Sequence, residues 1–200
     1  MAKLTKILTP RGTAMYPHVR KPEFYQGAEV GYTVQLQLSK EDTAKLAKRL
    51  EAELEAAKGD SAFKGKRWSK EPNMGMKYDK NDDIYFKFKT STNIKTKTGE
   101  IIPRNIPVFD AHGNPFKGDF GHGSIIRVRF SVNPYWMSSS NNGLSLYLDA
   151  VQVIKYVEPG SAVGNAEAYG FEKEDGFDVK ENEYTGDENP FNNDDDGDDF

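Results

Sequence analysis

The chain of 200 residues contains no cysteine. That absence removes disulfides, thiol nucleophiles, iron–sulfur clusters and cysteine-based zinc sites together, and it suits a reducing compartment. Histidine is scarce as well. His18, His112 and His122 lie far apart, each near turn-forming residues, and none has a serine or cysteine partner at a spacing used in nucleophilic catalysis. No apolar run approaches the ~20 residues of a membrane span. The opening Met-Ala-Lys-Leu-Thr-Lys lacks the apolar core of a signal peptide. A soluble cytoplasmic protein with no membrane partner is therefore expected.

Phosphate and metal signatures are missing too. There is no Gly-Lys-Ser/Thr loop, and Gly118-Asp-Phe-Gly-His-Gly123 has the wrong glycine spacing for a dinucleotide fingerprint and leads into a strand pattern. Asn192–Gly197 echoes a calcium loop but begins with Asn, and its bidentate glutamate would fall beyond residue 200. A two-metal nuclease needs carboxylates converging on folded strands, where Asp149 stands nearly alone. The expectation is a protein that is not an enzyme and uses no cofactor or metal.

What is present is a division of charge. Residues 158–200 hold fifteen of the 31 acids and two of the 27 bases, a net of −13. Residues 1–157 keep sixteen acids against 25 bases, a net of +9, hidden inside a whole-chain charge of −4. Dense like charge with few large aliphatic side chains repels itself and has little to bury. This predicts a disordered acidic tail over 158–200 after one folded domain over 1–157. Its sign lets it fold back and screen whatever the body binds. Asp194, Asp195, Asp196, Asp198 and Asp199 run up to a terminal Phe200. A purely solvating tail has no physical need of an aromatic end, so these six are the expected partner-binding residues.

The body reads as strands with one interruption. Residues 3–9 and 13–19 are weak strand patterns, and 29–38 is a better one, with Val30, Tyr32, Val34, Leu36 and Leu38 alternating with Gly31, Thr33, Gln35 and Gln37. Ser39-Lys-Glu-Asp42 then forms a capping box, and Leu46, Leu50 and Leu54 follow at four-residue spacing, predicting a helix over about 41–57. Residues 60–82 read as a long basic loop. In 84–90 and 125–132 apolar residues alternate with Tyr85, Lys87 and Lys89 and with Arg127 and Arg129. Asn142-Gly143 is a hairpin signal, and the phase of the last strand slips at Ala150-Val151, suggesting a bulge. Six or so strands with one helix inserted among them describe a mainly β, OB-fold-like Greek-key barrel.

The wet faces of the two sharpest strands are the strongest candidate site. Cations track phosphates, and an aromatic among them offers a plane for stacking any base. Lys66, Arg67 and Trp68 of the basic loop, with Tyr135 and Trp136 at the end of the arginine strand, extend that platform. Alternating cations also serve as solvated edge protection, and a tryptophan as core or dimer packing. A protein-interaction or structural module whose basic body holds an acidic partner, or a binder of single-stranded RNA, remains open on these residues.

Several motifs in order give a resemblance: the opening Met-Ala-Lys3, Gly12-Thr-Ala14, Lys21-Pro22, Phe86-Lys-Phe-Lys89, residues 121–130, Pro134-Tyr135, the strand 144–157, and the acidic tail ending in Asp199-Phe200. Together they resemble the single-stranded DNA-binding proteins of T-seven-like bacteriophages. The resemblance implies an OB-fold that binds single-stranded DNA without sequence preference in phage DNA replication, recombination and repair, in the cytoplasm of an infected bacterium. Lys3 joins the candidate DNA-binding residues through it. It also implies a homodimer, and a tail whose acids and Phe200 contact the phage DNA polymerase and primase-helicase. The chain departs from the family in a shorter helix-to-strand insertion and in Pro134-Tyr135-Trp136-Met137, which lacks a lysine between tyrosine and tryptophan.

Overall fold

The computed structural model of the chain describes residues 4–78 and 83–160. Two strands open the fold, β1 (Thr5–Leu8) and the long β2 (Gly12–Tyr25), which turns at Gln26-Gly27 into β3 (Ala28–Gln37). Helix α1 follows over Lys40–Gly59, with the Ser39 hydroxyl accepting the Asp42 N–H at 3.1 Å as its cap. Its leucines Leu46, Leu50 and Leu54 are buried, as their four-residue spacing requires. Among the described residues of the basic stretch after the helix are a 3-10 turn (Ser61–Phe63) and a short strand, β4 (Met76–Tyr78). Then come β5 (Ile84–Thr90), β6 (Asn93–Lys95), β7 (Ile101–Pro103), β8 (Val108–Phe109), β9 (Ile125–Ser138) and β10 (Asn141–Lys155).

The main sheet runs β4-β5-β3-β2-β9-β10-β8, with β1 also paired to β9; β6 and β7 make a separate ribbon. It curls around one core in which Phe86 and Phe88 of β5 meet Val128 and Phe130 of β9 and Leu144, Leu146 and Leu148 of β10. The expected mainly β barrel with one inserted helix is present, but its ladder is not closed. β8 covers the free edge of β10 at Val151 and Gln152. Further along that edge a single residue from the loop before β4 makes the join. The Asn73 N–H donates to the Asn142 carbonyl at 2.9 Å, and the Asn73 carbonyl accepts the Leu144 N–H at 2.7 Å. Gly143 permits this: its φ is +143°, and an added Cβ would lie 2.0 Å from the Asn73 carbonyl oxygen.

Two local readings meet different fates. The slip in the last strand is real, since Leu148 pairs with Phe130 and Ala150 with Arg129, leaving Asp149 as the extra residue. The Asn142-Gly143 turn is not. Asn142 is buried within β10 opposite Trp136, and the chain reverses at Ser139-Ser140 instead. Clasping by Asn73 and the Asn142 side chain's bond to the Ser138 carbonyl at 2.8 Å hold that dipeptide inside the strand.

Candidate functional site

Beyond the Asn73 clasp the seam between β4–β5 and β10 opens into a cleft of about 320 Å³. One wall carries Lys77, Lys87 and Lys89; the other carries Ser145 and Tyr147. The strand period puts the lysines there. With Phe86 and Phe88 buried, Lys87 and Lys89 must face outward, and β4 pairs Lys77 with Tyr85 on the same face. Tyr147 is 39% exposed, and its hydroxyl accepts the Asn133 side-chain amide at 3.1 Å, which fixes the ring. Three ammonium groups facing an anchored aromatic plane suit a flexible polyanion that carries planar groups.

One carboxylate intrudes. Glu23 of β2 accepts from the Thr33 hydroxyl at 2.8 Å and from the Lys87 ammonium at 3.2 Å. Both partners of the ion pair are about three-quarters covered. Partial burial pushes the Glu23 carboxyl up, but the Thr33 hydroxyl and the Lys87 ammonium outweigh it and hold the group below its ordinary value. A depressed folded-state pKa contributes stability above the unfolded-state value and loses it as pH falls through the folded value. Glu23→Gln should therefore lower the melting temperature at neutral pH, with the gap to the native chain closing in acid below the ordinary carboxylate range. A gap independent of pH would show that the pair does not act through charge. The same substitution frees Lys87, and so should tighten binding of any polyanion in the cleft.

The outward face continues from Tyr147 to Ser131 of β9, its cross-strand partner, and on to Lys6 of β1, which pairs with Ser131. Arg129 is exposed on this face and with Lys6 lines a shallow depression. Arg127 is half-buried, and its Nε donates to the Thr9 carbonyl at 3.2 Å, so part of its guanidinium ties β1 to β9. Tyr135 sits at the closed end of the cleft, where its hydroxyl accepts the Asn73 side-chain amide at 3.2 Å.

The loop aromatics divide. Trp68 packs on the core with its ring edge-on to Phe63, centroids 5.5 Å apart. Trp136 donates its indole N–H to the Arg67 carbonyl at 3.0 Å, and the Lys66 ammonium lies 4.4 Å over its ring. The structure thus gathers Lys87 and Lys89 in the cleft with Tyr135 at its end. It places Lys66, Arg67 and Trp136 as a separate cluster at the β9–β10 tip, Arg127 and Arg129 on the β9 face, and Tyr85 half-buried on β5. Lys3, Asp194, Asp195, Asp196, Asp198, Asp199 and Phe200 lie outside the described residues, as does the whole acidic stretch from 161 onward. Sequence reasoning passed over Lys77, Tyr147, Asn73, Lys6 and Glu23 as site residues. The one signal it had for Tyr147 was an aromatic on the wet side of the last strand.

No family model and no curated protein sequence matches the chain. Solved structures do. The crystal structure of gp2.5, a single-stranded DNA-binding protein encoded by bacteriophage T7, superposes with a TM-score of 0.63 at 23% identity, covering 88% of this chain and 100% of that one. The chain has the fold of phage single-stranded DNA-binding proteins. A C-terminally truncated single-stranded DNA-binding protein from bacteriophage Enc34 agrees at TM-score 0.55 and 15% identity, over 77% of this chain and 87% of that one. The same Enc34 protein solved in complex with single-stranded DNA gives 0.54 at 14% identity, over 78% of this chain and 89% of that one. The fold expected from the scattered motifs is therefore the fold found.

Proposed function

We propose that this chain is a phage protein that coats single-stranded DNA without reading its sequence, in DNA replication, recombination and repair. The observation that carries this is the open seam, where Lys77, Lys87 and Lys89 face Tyr147 across one cleft. Cations along one wall follow a phosphate backbone, and an aromatic on the other accepts any base, because every base has a π face. Support also comes from the shared fold with a protein solved on single-stranded DNA. The test is anisotropy of a labelled oligothymidine of roughly thirty bases, a length that spans more than one ~4–16-nucleotide site. Affinity should fall with salt at about −0.7 in log–log slope per phosphate contacted. Absence of binding even at low salt would assign the basic body to a protein partner instead.

In this reading residues 158–200 are an acidic arm that competes with DNA for the body and, once displaced, recruits the phage polymerase and primase-helicase through its acids and Phe200, in a protein that works as a homodimer. Deleting residues 188–200 should tighten DNA binding, most at low salt, and abolish recruitment. Tighter binding by the intact chain would contradict the competition. Phe200→Ala should weaken partner capture while DNA affinity stays nearly unchanged.

A further inference from the structure

Strand β2 carries a large bulge. Between His18, the register partner of Thr33, and Glu23, the partner of Gly31, it has four residues, Val19 to Pro22, against the single Tyr32 of β3. Val19 turns into the core, and Arg20 leaves the sheet to donate to the Gly118 and Phe116 carbonyls. Past the bulge the Glu23 carboxylate reaches back beyond its own partner to Thr33 and accepts that hydroxyl at 2.8 Å. Its two oxygens lie 3.2 and 3.4 Å from the Lys87 ammonium. Lys87 lines the cleft, and Glu23 holds it from outside the lining.

Few groups act on this carboxylate. His18 does so from β2 itself, the Thr33 hydroxyl from β3 and Lys87 from β5, with Lys89 one step along, opposite Thr33. The one acid of β3, Glu29, is engaged elsewhere, by the Thr92 hydroxyl. The Glu23 and Lys87 side chains are 24% and 27% exposed, so salt screens the pair less than it would two charges standing in water. Burial pushes the carboxyl up, and Thr33, Lys87 and His18 together bring it below its ordinary value. That balance holds only while no other anion shares the ammonium. A strand phosphate on Lys87 sets a negative charge against Glu23, and a neighbouring like charge disfavours ionisation.

We propose that strand binding in this cleft is coupled to a proton on Glu23: the phosphate that engages Lys87 drives the carboxylate to its neutral form, and the cleft in turn holds a strand more tightly as pH falls. This rests on the DNA-binding reading above and adds to it a regulation of the same site. The coupling is reciprocal, so whatever factor the phosphate adds to proton affinity the proton adds to strand affinity. In the free chain Lys87 keeps Glu23 charged until pH falls below the ordinary carboxylate range, whereas the complex reaches the neutral form at a higher pH. Between those two limits binding takes up a proton, so affinity rises as pH falls through that window and is level on either side of it.

The test is calorimetric titration of the full chain, native and Glu23→Gln, with an oligothymidine at low salt from about pH 8 down to about pH 5, towards the carboxylate range. Thymine has no group that titrates in this interval, so the proton belongs to the protein. Glutamine still accepts the Thr33 hydroxyl but cannot ionise, and circular dichroism at each pH checks folding. At neutral pH the variant should bind about threefold to tenfold tighter, the size of one charge–charge contact near a protein surface. That ratio should shrink steadily towards one as pH falls. The acidic stretch after residue 157 also loses charge in acid, but it is common to both chains and cancels in the ratio. Repeating the titration in buffers of different ionisation enthalpy should show more proton uptake by the native chain than by E23Q at about pH 5. A ratio that does not change with pH, or equal proton uptake by the two chains, overturns the coupling. In a His18→Gln background the ratio should keep its pH dependence; its disappearance there would move the proton to the imidazole and overturn the assignment to Glu23. If the native chain binds no strand at any pH, the DNA-binding reading itself fails, a result distinguishable because it appears before any substitution.

Discussion

Replacing Lys77, Lys87 and Lys89 together by alanine should lower affinity for oligothymidine by roughly two to three orders of magnitude at ~50 mM salt, and flatten the log–log salt slope by about 2. The slope is the more diagnostic number. Each phosphate neutralised on a single strand releases about 0.7 of a counterion, so three lysines account for the predicted change whatever the total number of contacts. Lys77 and Lys89 are exposed, and Lys87 sits beside them on the same wall. Removing Lys87 has a second consequence. Glu23 loses the ammonium at 3.2 Å and is left as a carboxylate beside the groove, adding repulsion to the lost attraction. The Lys87→Ala loss should therefore exceed that of Lys89→Ala, and Glu23→Gln should restore part of it. An unchanged slope in the triple variant would move the path onto Lys6 and Arg129, where Lys6→Ala with Arg129→Ala becomes the decisive pair.

Phe88→Ala should destabilise the body by about 3–5 kcal/mol, the usual range for emptying a buried phenylalanine site. Phe88 is fully buried, and its ring lies 4.9 Å from that of Phe130, centroid to centroid, so this contact ties β5 directly to β9 through the core. Against a typical total of ~5–15 kcal/mol, that loss is large enough to shift a urea midpoint clearly. It bears on the cleft as well. Phe86 and Phe88 are the inward half of the alternation whose outward half is Lys87 and Lys89, and a one-residue slip of β5 would bury those lysines and expose the phenylalanines. Lys89→Ala, on the other face of the same strand, should leave the urea midpoint nearly where it was. A midpoint unchanged in Phe88→Ala would mean that β5 is held by its ladders to β3 and β4 and not by this core contact.

Wherever a local period carried the information, the sequence was legible. The helix boundary came from Ser39 and the leucine stripe, the outward direction of Lys87, Lys89, Arg127 and Arg129 from period two, and the bulge in β10 from a slip in phase. Local signals misled where a distant residue competed for the same backbone. Asn142-Gly143 has the composition of a tight turn, but Asn73, 70 residues earlier in the chain, takes its hydrogen bonds and keeps it in a strand. Trp68 shared a loop with five cations and read as part of a platform, whereas an apolar neighbour, Phe63, and the core claim its ring.

The amino-acid sequence alone determined that the body is mainly β with one helix, which side of each strong strand is cationic, and that thirteen net negative charges follow residue 157. These depend on neighbours within a few residues, and side-chain period and charge are local quantities. The tertiary structure alone decided which strands became neighbours. It set Tyr147 across a gap from Lys77 and Lys87, brought Glu23 onto Lys87 from 64 residues away, and stopped the sheet from closing beyond Asn73. The cleft exists because one backbone clasp joins two edges that no ladder joins. Pairing between distant edges is set by the packing of the whole core, which no single stretch of the chain encodes.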